Sequence, residues 1–336
     1  MPAVMEKERK HLQELYNFAS GYQISSVLFE ALRLGIFSAI GERSVSLKAL
    51  AERVKVSETA LKRFLGVLQA LGLIEHSGNR YGNARLAGKY LSQHSMTYCG
   101  DLFIHNETLM RPWSQLHQCL KKGSMLTPPG SVLKRYPQQL RRYLLSMHAA
   151  GRIKSALISR AVPMKNYHCM LDVGGGMGTY AAAFSQINKN LSATVYDLQP
   201  VVPHAKRYIR HCGLEARVHV VAGECLAEPF PAEPYDLVFI SNVLHMYAAA
   251  EARKLIKKAV QALVKKGTLL IHDYIAGTGN PVAVALFDMT MLVGTPAGRC
   301  HEQEELGRWM LSAGLSDIKT AEVGGGSSII FGTRKE

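Results

Sequence analysis

Three glycines, four acids and one histidine carry most of the chemistry this sequence can do. Met170-Leu171-Asp172-Val173 is an apolar run with an acid near its end, and it opens into Gly174-Gly175-Gly176-Met177-Gly178-Thr179-Tyr180. The pattern predicts a strand, a tight turn and a helix. Glycine at 174, 176 and 178 lets backbone approach a ligand closely, because a Cβ there would collide with it. The turn feeds a helix N-terminus, whose free N–H groups attract negative groups. A dinucleotide fingerprint, Gly-x-Gly-x-x-Gly, would put its third glycine at Thr179, whereas the spacing here is Gly-x-Gly-x-Gly. That points away from a pyrophosphate and toward an adenosyl ligand without one. Any tight strand-to-helix turn also needs glycine, so the reading depends on what shares the rim.

Asp197 lies about 20 residues beyond Gly178, at the end of the next strand, where an acid can take ribose hydroxyls. Its other reading is a loop aspartate capping the helix after Leu198-Gln199-Pro200. Glu224, in Ala222-Gly223-Glu224-Cys225, occupies the next rim position, where it could meet an adenine amino group. Ser241-Asn242-Val243-Leu244-His245 follows the fourth strand. An imidazole, with an ordinary pKa near 6.5, can serve there as a general base at neutral pH; a lone histidine can equally be structural. Asp273 follows Leu269-Leu270-Ile271-His272 on the same rim, where a carboxylate can orient an imidazole and stabilise its cation.

These side chains meet only if the strands carrying them are parallel neighbours. From residue 168 onward strands are predicted at 169–173, 193–196, 217–221, 235–240, 267–272, 317–322 and 327–333, with helices at 179–187, 201–212, 249–264 and 302–313. The alternation predicts an α/β fold, with a mostly parallel sheet and helices on both faces. The last two strands can form an antiparallel hairpin at one edge. Ligands of such sheets lie beyond the carboxyl ends of the strands, where strand order reverses. If the first and fourth strands flank that reversal, His245 faces the glycine turn.

The first half of the chain reads as helices. Leu12, Leu15, Tyr16 and Ala19 make one stripe and Val27, Leu28, Ala31, Leu32 and Leu34 another, punctuated by Gly21, Gly35 and Gly41. Ser46 and Ser57 are placed to cap two short helices, and Leu73–Tyr81, broken at Gly78-Asn79, reads as a hairpin. Helix, turn, helix and hairpin make a winged helix. The helix after Ser57 offers only Lys62 and Arg63 as basic groups before the apolar run to Leu71, which argues against reading DNA bases and for packing on protein. Residues 84–165 read as helical, broken at Pro112, Gly123, Pro128-Pro129-Gly130 and Pro137, with Pro163 at a boundary.

The chain has 336 residues, 47% hydrophobic and 20% charged, enough for two domains. No apolar run approaches the roughly 18–20 residues of a membrane span, and Met1–Gln13 lacks a signal-peptide core. Six cysteines are scattered without a Cys-x-x-Cys pair, which suits a reducing cytoplasm better than a disulfide framework or a zinc site. The net charge of +14 is uneven: residues 101–165 hold 11 Lys/Arg against 2 Asp/Glu, while 166–336 balance at 16 and 16. Nucleic acid, an acidic small molecule, an acidic protein surface or plain solvated helix could each account for that excess.

Asp172-Val173-Gly174-Gly175-Gly176-Met177-Gly178, Asp197, Gly223-Glu224 and the His245 loop together resemble the plant-type and acetylserotonin-like O-methyltransferases. The resemblance extends to the winged helix and to Asp288-Met289-Thr290-Met291-Leu292 before Gly298-Arg299. It implies a class I methyltransferase sheet preceded by a mostly helical, winged-helix dimerisation domain. The implied divisions are 1–100 for dimerisation, 101–162 as a helical linker and lid, and 163–336 for S-adenosylmethionine. It further implies a cytoplasmic homodimer acting on a small, ring-bearing acceptor, with no membrane and no nucleic acid as partner. By the same resemblance, Asp172, Gly174, Gly176 and Gly178 hold the methionyl side of the cofactor. Asp197 and Leu198 take the ribose side, and Glu224 and Cys225 the adenine side. His245 is the general base, with Asp273 beside it, and Met147, Met291 and Thr295 line the acceptor.

Three departures stand out: Met246 replaces an Asp after the base, Ser241 replaces a Lys near the cofactor, and Cys300-His301-Glu302 replaces Glu-Arg-Thr. They leave open methylation at carbon or nitrogen, or a cofactor-bound enzyme of other chemistry. An anionic acceptor reached by Arg111, Arg142 or Arg152 is a further expectation. A DNA-binding regulator that senses an adenosyl ligand is the reading from another class.

Overall fold

The computed structural model describes residues 2–126 and 137–336. It divides into two compact units, Met1–Thr108 and Leu109–Glu336.

The first unit opens with α1 (Pro2–Arg33), which runs through Gly21 without a break. One glycine costs a helix only about 1 kcal/mol relative to alanine, so a helix of this length absorbs it. Gly35 and Gly41 do punctuate, at φ 66° and 69°, on either side of α2 (Ile36–Ile40). The stripe Leu12, Leu15 and Tyr16 stands exposed, whereas Ala31, Leu32, Ile36 and Phe37 are buried. Ser46 caps α3 (Leu47–Val54) by accepting from the Ala49 N–H at 3.3 Å, and Ser57 caps α4 (Glu58–Ala70) from the Ala60 N–H at 3.4 Å. Strands β1 (Val45–Ser46), β2 (Ile74–Ser77) and β3 (Arg80–Asn83) pair in the order β1-β3-β2 and complete the winged helix. Leu61, Leu65 and Leu68 of α4 are fully buried, as its apolar face requires. Next come α5 (Arg85–Tyr90) and α6 (Gly100–Ser114), with Pro112 inside the last turn of α6.

In the second unit α7 (Leu116–Lys122) ends at Gly123. Pro137 opens α8 (Pro137–Ala161) rather than breaking a helix, since a first-turn proline forfeits no intrahelical bond. Pro128-Pro129-Gly130 lies outside the described residues. Strands and helices then alternate: β4 (Cys169–Val173), α9 (Thr179–Ile187), β5 (Ser192–Asp197), α10 (Val202–His211), β6 (Val218–Ala222), β7 (Tyr235–Ser241), α11 (Ala249–Ala262) and β8 (Leu263–Asp273). The chain ends with α12 (Pro281–Gly294), α13 (Gln303–Ser312), β9 (Leu315–Glu322) and β10 (Ser328–Arg334).

The seven strands lie in the order β6-β5-β4-β7-β8-β10-β9. β6 through β8 are parallel, and β10 pairs antiparallel with β8 and β9. Strand order reverses between β4 and β7. Val173 pairs with Tyr196 and Ile240, so the three strands end level and their loops share one rim. One core face packs Leu255, Ile256 and Met310 on the sheet; the other packs Phe184, Phe239 and Ile209. Among the described residues no helix is long and apolar enough to cross a membrane.

Candidate active site

The glycine turn is built for close approach, though its three glycines do different jobs. All have positive φ, at 66°, 57° and 77° for Gly174, Gly176 and Gly178. A Cβ on Gly174 would stand 2.6 Å from Val243 Cγ2, so this glycine lets the β4 and β7 loops touch. A Cβ on Gly178 would meet Ile209 and Val195 at 3.0 and 3.1 Å, a matter of helix-to-sheet packing. Gly176 alone opens on free space, with only Leu144 Cδ2 at 4.0 Å. Asp197 braces that position: one carboxylate oxygen accepts the Gly176 N–H at 2.7 Å and the other the Leu198 N–H at 2.7 Å. Burial raises the Asp197 pKa, and these two N–H groups oppose it.

Asp172 sits beneath the turn, fully buried, and neither carboxylate oxygen has a hydrogen-bond partner within normal distance. A Cβ on Gly175 would fall 2.7 Å from its Cγ. Burial, reinforced by the Asp197 charge, pushes Asp172 up to about 7, with only the Ala181 N–H pulling it down. Glu224 is partly committed locally, since its Oε1 accepts the Leu226 N–H at 3.1 Å. The Cys225 thiol lies 3.4 Å from the Tyr247 hydroxyl, and burial pushes it up to about 11, so it stays a protonated, unreactive thiol.

Across the crevice His245 and Asp273 form a buried pair. Asp273 Oδ1 lies 2.6 Å from His245 Nδ1 and accepts the Tyr274 N–H at 2.8 Å, while Oδ2 accepts the His245 N–H at 3.3 Å. Burial alone would raise the Asp273 pKa; the His245 charge and these hydrogen bonds outweigh it and hold the acid below its ordinary value. With Nδ1 donating to Asp273, Nε2 is left as the acceptor nitrogen. Phe287 meets the imidazole edge-on at 4.9 Å and stacks on Tyr274 at 3.9 Å.

The loop carrying His245 is held from the far side as well. His301 Nε2 lies 3.0 Å from the Leu244 carbonyl, and a Cβ on Gly298 would come within 2.3 Å of the His245 carbonyl. The Cys300 N–H donates to Asp288 at 2.7 Å, tying this segment to α12.

One group escaped sequence reasoning. His272, almost wholly buried, lies 2.8 Å from Ser241 Oγ through Nδ1 and 3.0 Å from Ser327 Oγ through Nε2. The Tyr180 hydroxyl is 3.5 Å from the same Nδ1, and Lys154 donates to Ser327 Oγ at 2.8 Å. Burial pushes His272 down to about 4, so it is neutral at pH 7. Asn242 adopts φ 55°, a left-handed geometry that asparagine tolerates better than most residues, and its N–H donates to the His272 carbonyl. A histidine inside an otherwise apolar strand was the one available signal.

The sequence profile of the O-methyltransferase domain matches residues 127–316, more than half of the chain. The chain belongs to the O-methyltransferase family. The profile of the O-methyltransferase dimerisation domain matches residues 16–93 of the methyltransferase. Among its curated relatives, the tetracenomycin polyketide synthesis 8-O-methyltransferase of Streptomyces glaucescens is 26% identical, covering 92% of this chain and 93% of that protein. An N,N-dimethyltransferase of Streptomyces rimosus is 26% identical over 82% of this chain and 81% of its own length. Acetylserotonin O-methyltransferase of Bos taurus is 25% identical over 93% and 94%. The crystal structure of human N-acetylserotonin methyltransferase in complex with S-adenosylmethionine superimposes with a TM-score of 0.88 at 22% identity, covering 97% and 98% of the two chains.

The fold expected from the strand pattern is therefore the one observed. In this methyltransferase Met147 is half-buried on α8, while Met291 and Thr295, at the end of α12, are buried. The Thr295 hydroxyl donates to the Met291 carbonyl at 2.7 Å and accepts the Gly298 N–H at 2.8 Å, so it shapes the turn. No three His, Cys, Asp or Glu side chains among the described residues come together as a metal site.

Proposed function

We propose that this methyltransferase moves a methyl group from S-adenosylmethionine to a hydroxyl of a small, ring-bearing acceptor, with His245 as general base. The cofactor, when bound, supplies an electrophilic methyl on a positively charged sulfur. The residues on the rim fit such a group. Gly176 leaves open space at the turn, and neither oxygen of buried Asp172 has a partner within normal hydrogen-bond distance, a cost that a cationic ligand would relieve. Asp197 keeps lone pairs for ribose hydroxyls beyond its two N–H contacts, and Glu224 keeps one oxygen for the adenine side. Leu198, Cys225 and Ser241 complete the proposed cofactor rim.

His245 Nε2 takes the acceptor hydroxyl proton, and Asp273, held ionised, stabilises the imidazolium that results. Little covalent work remains for the chain, so its other contribution is holding the acceptor in line and excluding water. Met147, Met291, Phe287 and Tyr274 are the proposed apolar walls. The observation that carries this reading is the buried 2.6 Å contact between His245 and Asp273 on strand ends beside the glycine turn. Replacing His245 by Ala is expected to lower turnover by roughly 10²–10⁴-fold with cofactor affinity nearly unchanged. Unaltered turnover would remove the base.

Methylation at nitrogen is the second reading, supported by the Streptomyces rimosus relative and by Met246 in the place of the family's Asp. An amine attacks through its lone pair before losing a proton, so His245→Ala would then leave turnover within about tenfold. Labelled methyl, traced to oxygen, nitrogen or carbon of the product, separates the two.

The proposal extends to a cytoplasmic homodimer. Leu12, Leu15, Tyr16, Phe18 and Tyr22 stand exposed on α1, the last three within the span matched by the dimerisation profile, and a second copy would cover them. It also extends to an acceptor carrying a carboxylate or phosphate, on the strength of the basic excess at 101–165. An acceptor KM that ignores Arg111→Gln, Arg142→Gln and Arg152→Gln together would remove that last part.

A further inference from the structure

Helix α8 carries Arg141, Leu144, Leu145 and His148 at helical spacing, and α10 carries His204, Arg207, Tyr208 and His211 in the same rhythm. Residues of both stripes line a cleft of about 250 Å³. Its apolar surface comes from Leu144, Leu145, Tyr208 and Met177. The His148 and Tyr208 rings meet edge-on at 4.6 Å beside it.

Four side chains able to carry positive charge border this apolar surface: Arg141, Arg207, His204 and His211. None of them makes an ion pair or side-chain hydrogen bond among the described residues, and no carboxylate lines the cleft. Arg210, on another face of α10, shows the contrast, since it pairs with Glu215 at 2.9 Å. Two guanidinium groups without counter-ions over an apolar floor make a site for an anion that also has an apolar body. The volume lies just under the usual span of roughly 300–1,000 Å³ for small-molecule sites, which restricts the body to one or two rings.

We propose that the cleft between α8 and α10 binds a small aromatic carboxylate, at a site separate from the acceptor pocket. The guanidinium forks of Arg141 and Arg207 hold the carboxylate, and Tyr208, Leu144, Leu145 and Met177 hold the ring. The proposal does not rest on the base, because no lining residue belongs to the His245 pocket; Leu144 and Met177 border the glycine turn, which is why the cofactor product is kept saturating in the test.

Isothermal titration of the full-length protein with 1-naphthoate, in the presence of saturating S-adenosylhomocysteine, tests it. The expected result is a site that 1-naphthalenemethanol does not fill. Arg141→Gln/Arg207→Gln should weaken it roughly tenfold or more, while Phe287→Ala, in the acceptor wall, leaves it unchanged. Both arginines are exposed, so the double variant should keep its melting temperature and its S-adenosylhomocysteine affinity. No naphthoate heat, equal binding of the neutral alcohol, or indifference to the double substitution would overturn the proposal. So would loss of binding in Phe287→Ala alone, since the carboxylate would then sit in the acceptor pocket.

Discussion

Asp172 near the end of β4 and Asp273 at the end of β8 are the same side chain on the same rim of one sheet, and both are almost wholly buried. On the proposed cofactor side neither Asp172 oxygen has a partner within normal hydrogen-bond distance, a second acid stands nearby, and its pKa rises to about 7. On the proposed acceptor side Asp273 accepts from an imidazole and two backbone N–H groups, and its pKa falls. Burial penalises both charges alike, so the partners decide. In the proposed function the first acid is one that a cationic ligand would help to ionise, whereas the second is already paired within the protein.

The strongest way to break that contrast is to neutralise the completed side. Asp273→Asn can present an amide N–H to His245 Nδ1 and favour the wrong tautomer, so turnover is expected to fall by roughly 10³–10⁴-fold. Steady-state kinetics within tenfold of the parent would show that the pair is structural only.

Neutralising the other side should act on binding. Asp172→Asn is expected to weaken S-adenosylmethionine roughly tenfold, the size of one lost charge-assisted contact, and calorimetry reads it directly. The same variant tests the charge through stability. Between the ordinary carboxylate value of 3.8 and about 7 the unfolded chain releases this proton before the folded one does, so native stability falls as pH rises across that window. Asp172→Asn removes the fall. Its melting temperature should therefore gain on the parent from pH 4 to 7 and hold the gain above that; a constant offset would mean Asp172 ionises normally.

The smallest effect is expected in the polar chain between the two sides. Ser241→Ala leaves His272 Nδ1 with only the distant Tyr180 hydroxyl. It should cost about 1–3 kcal/mol in urea unfolding, the range for a buried polar group left unsatisfied. A loss of turnover without a loss of stability would show that Ser241 serves the proposed cofactor rim and not the support of His272.

Much of this could be read from residue order because the signals were local. Ser46 and Ser57 cap their helices through N–H groups three residues on, and strand β4 coincides with its apolar run. The glycine turn announced itself through its composition. What each glycine does was not legible, because Val243 and Ile209, which make Gly174 and Gly178 necessary, lie far along the chain. Gly21 failed as punctuation for the complementary reason: no neighbouring element stops α1 there.

The amino-acid order on its own determined the succession of strands and helices, the positions of the turns, and the set of ionisable side chains that reach one rim. Those follow from periodicity and backbone preference, which act over a few residues. Which of those side chains would be charged, paired or left waiting was decided by the tertiary structure alone. A pKa depends on distances of a few ångströms and on exclusion of water, and the fold sets both between residues as remote as His245 and Asp273 or Tyr180 and His272.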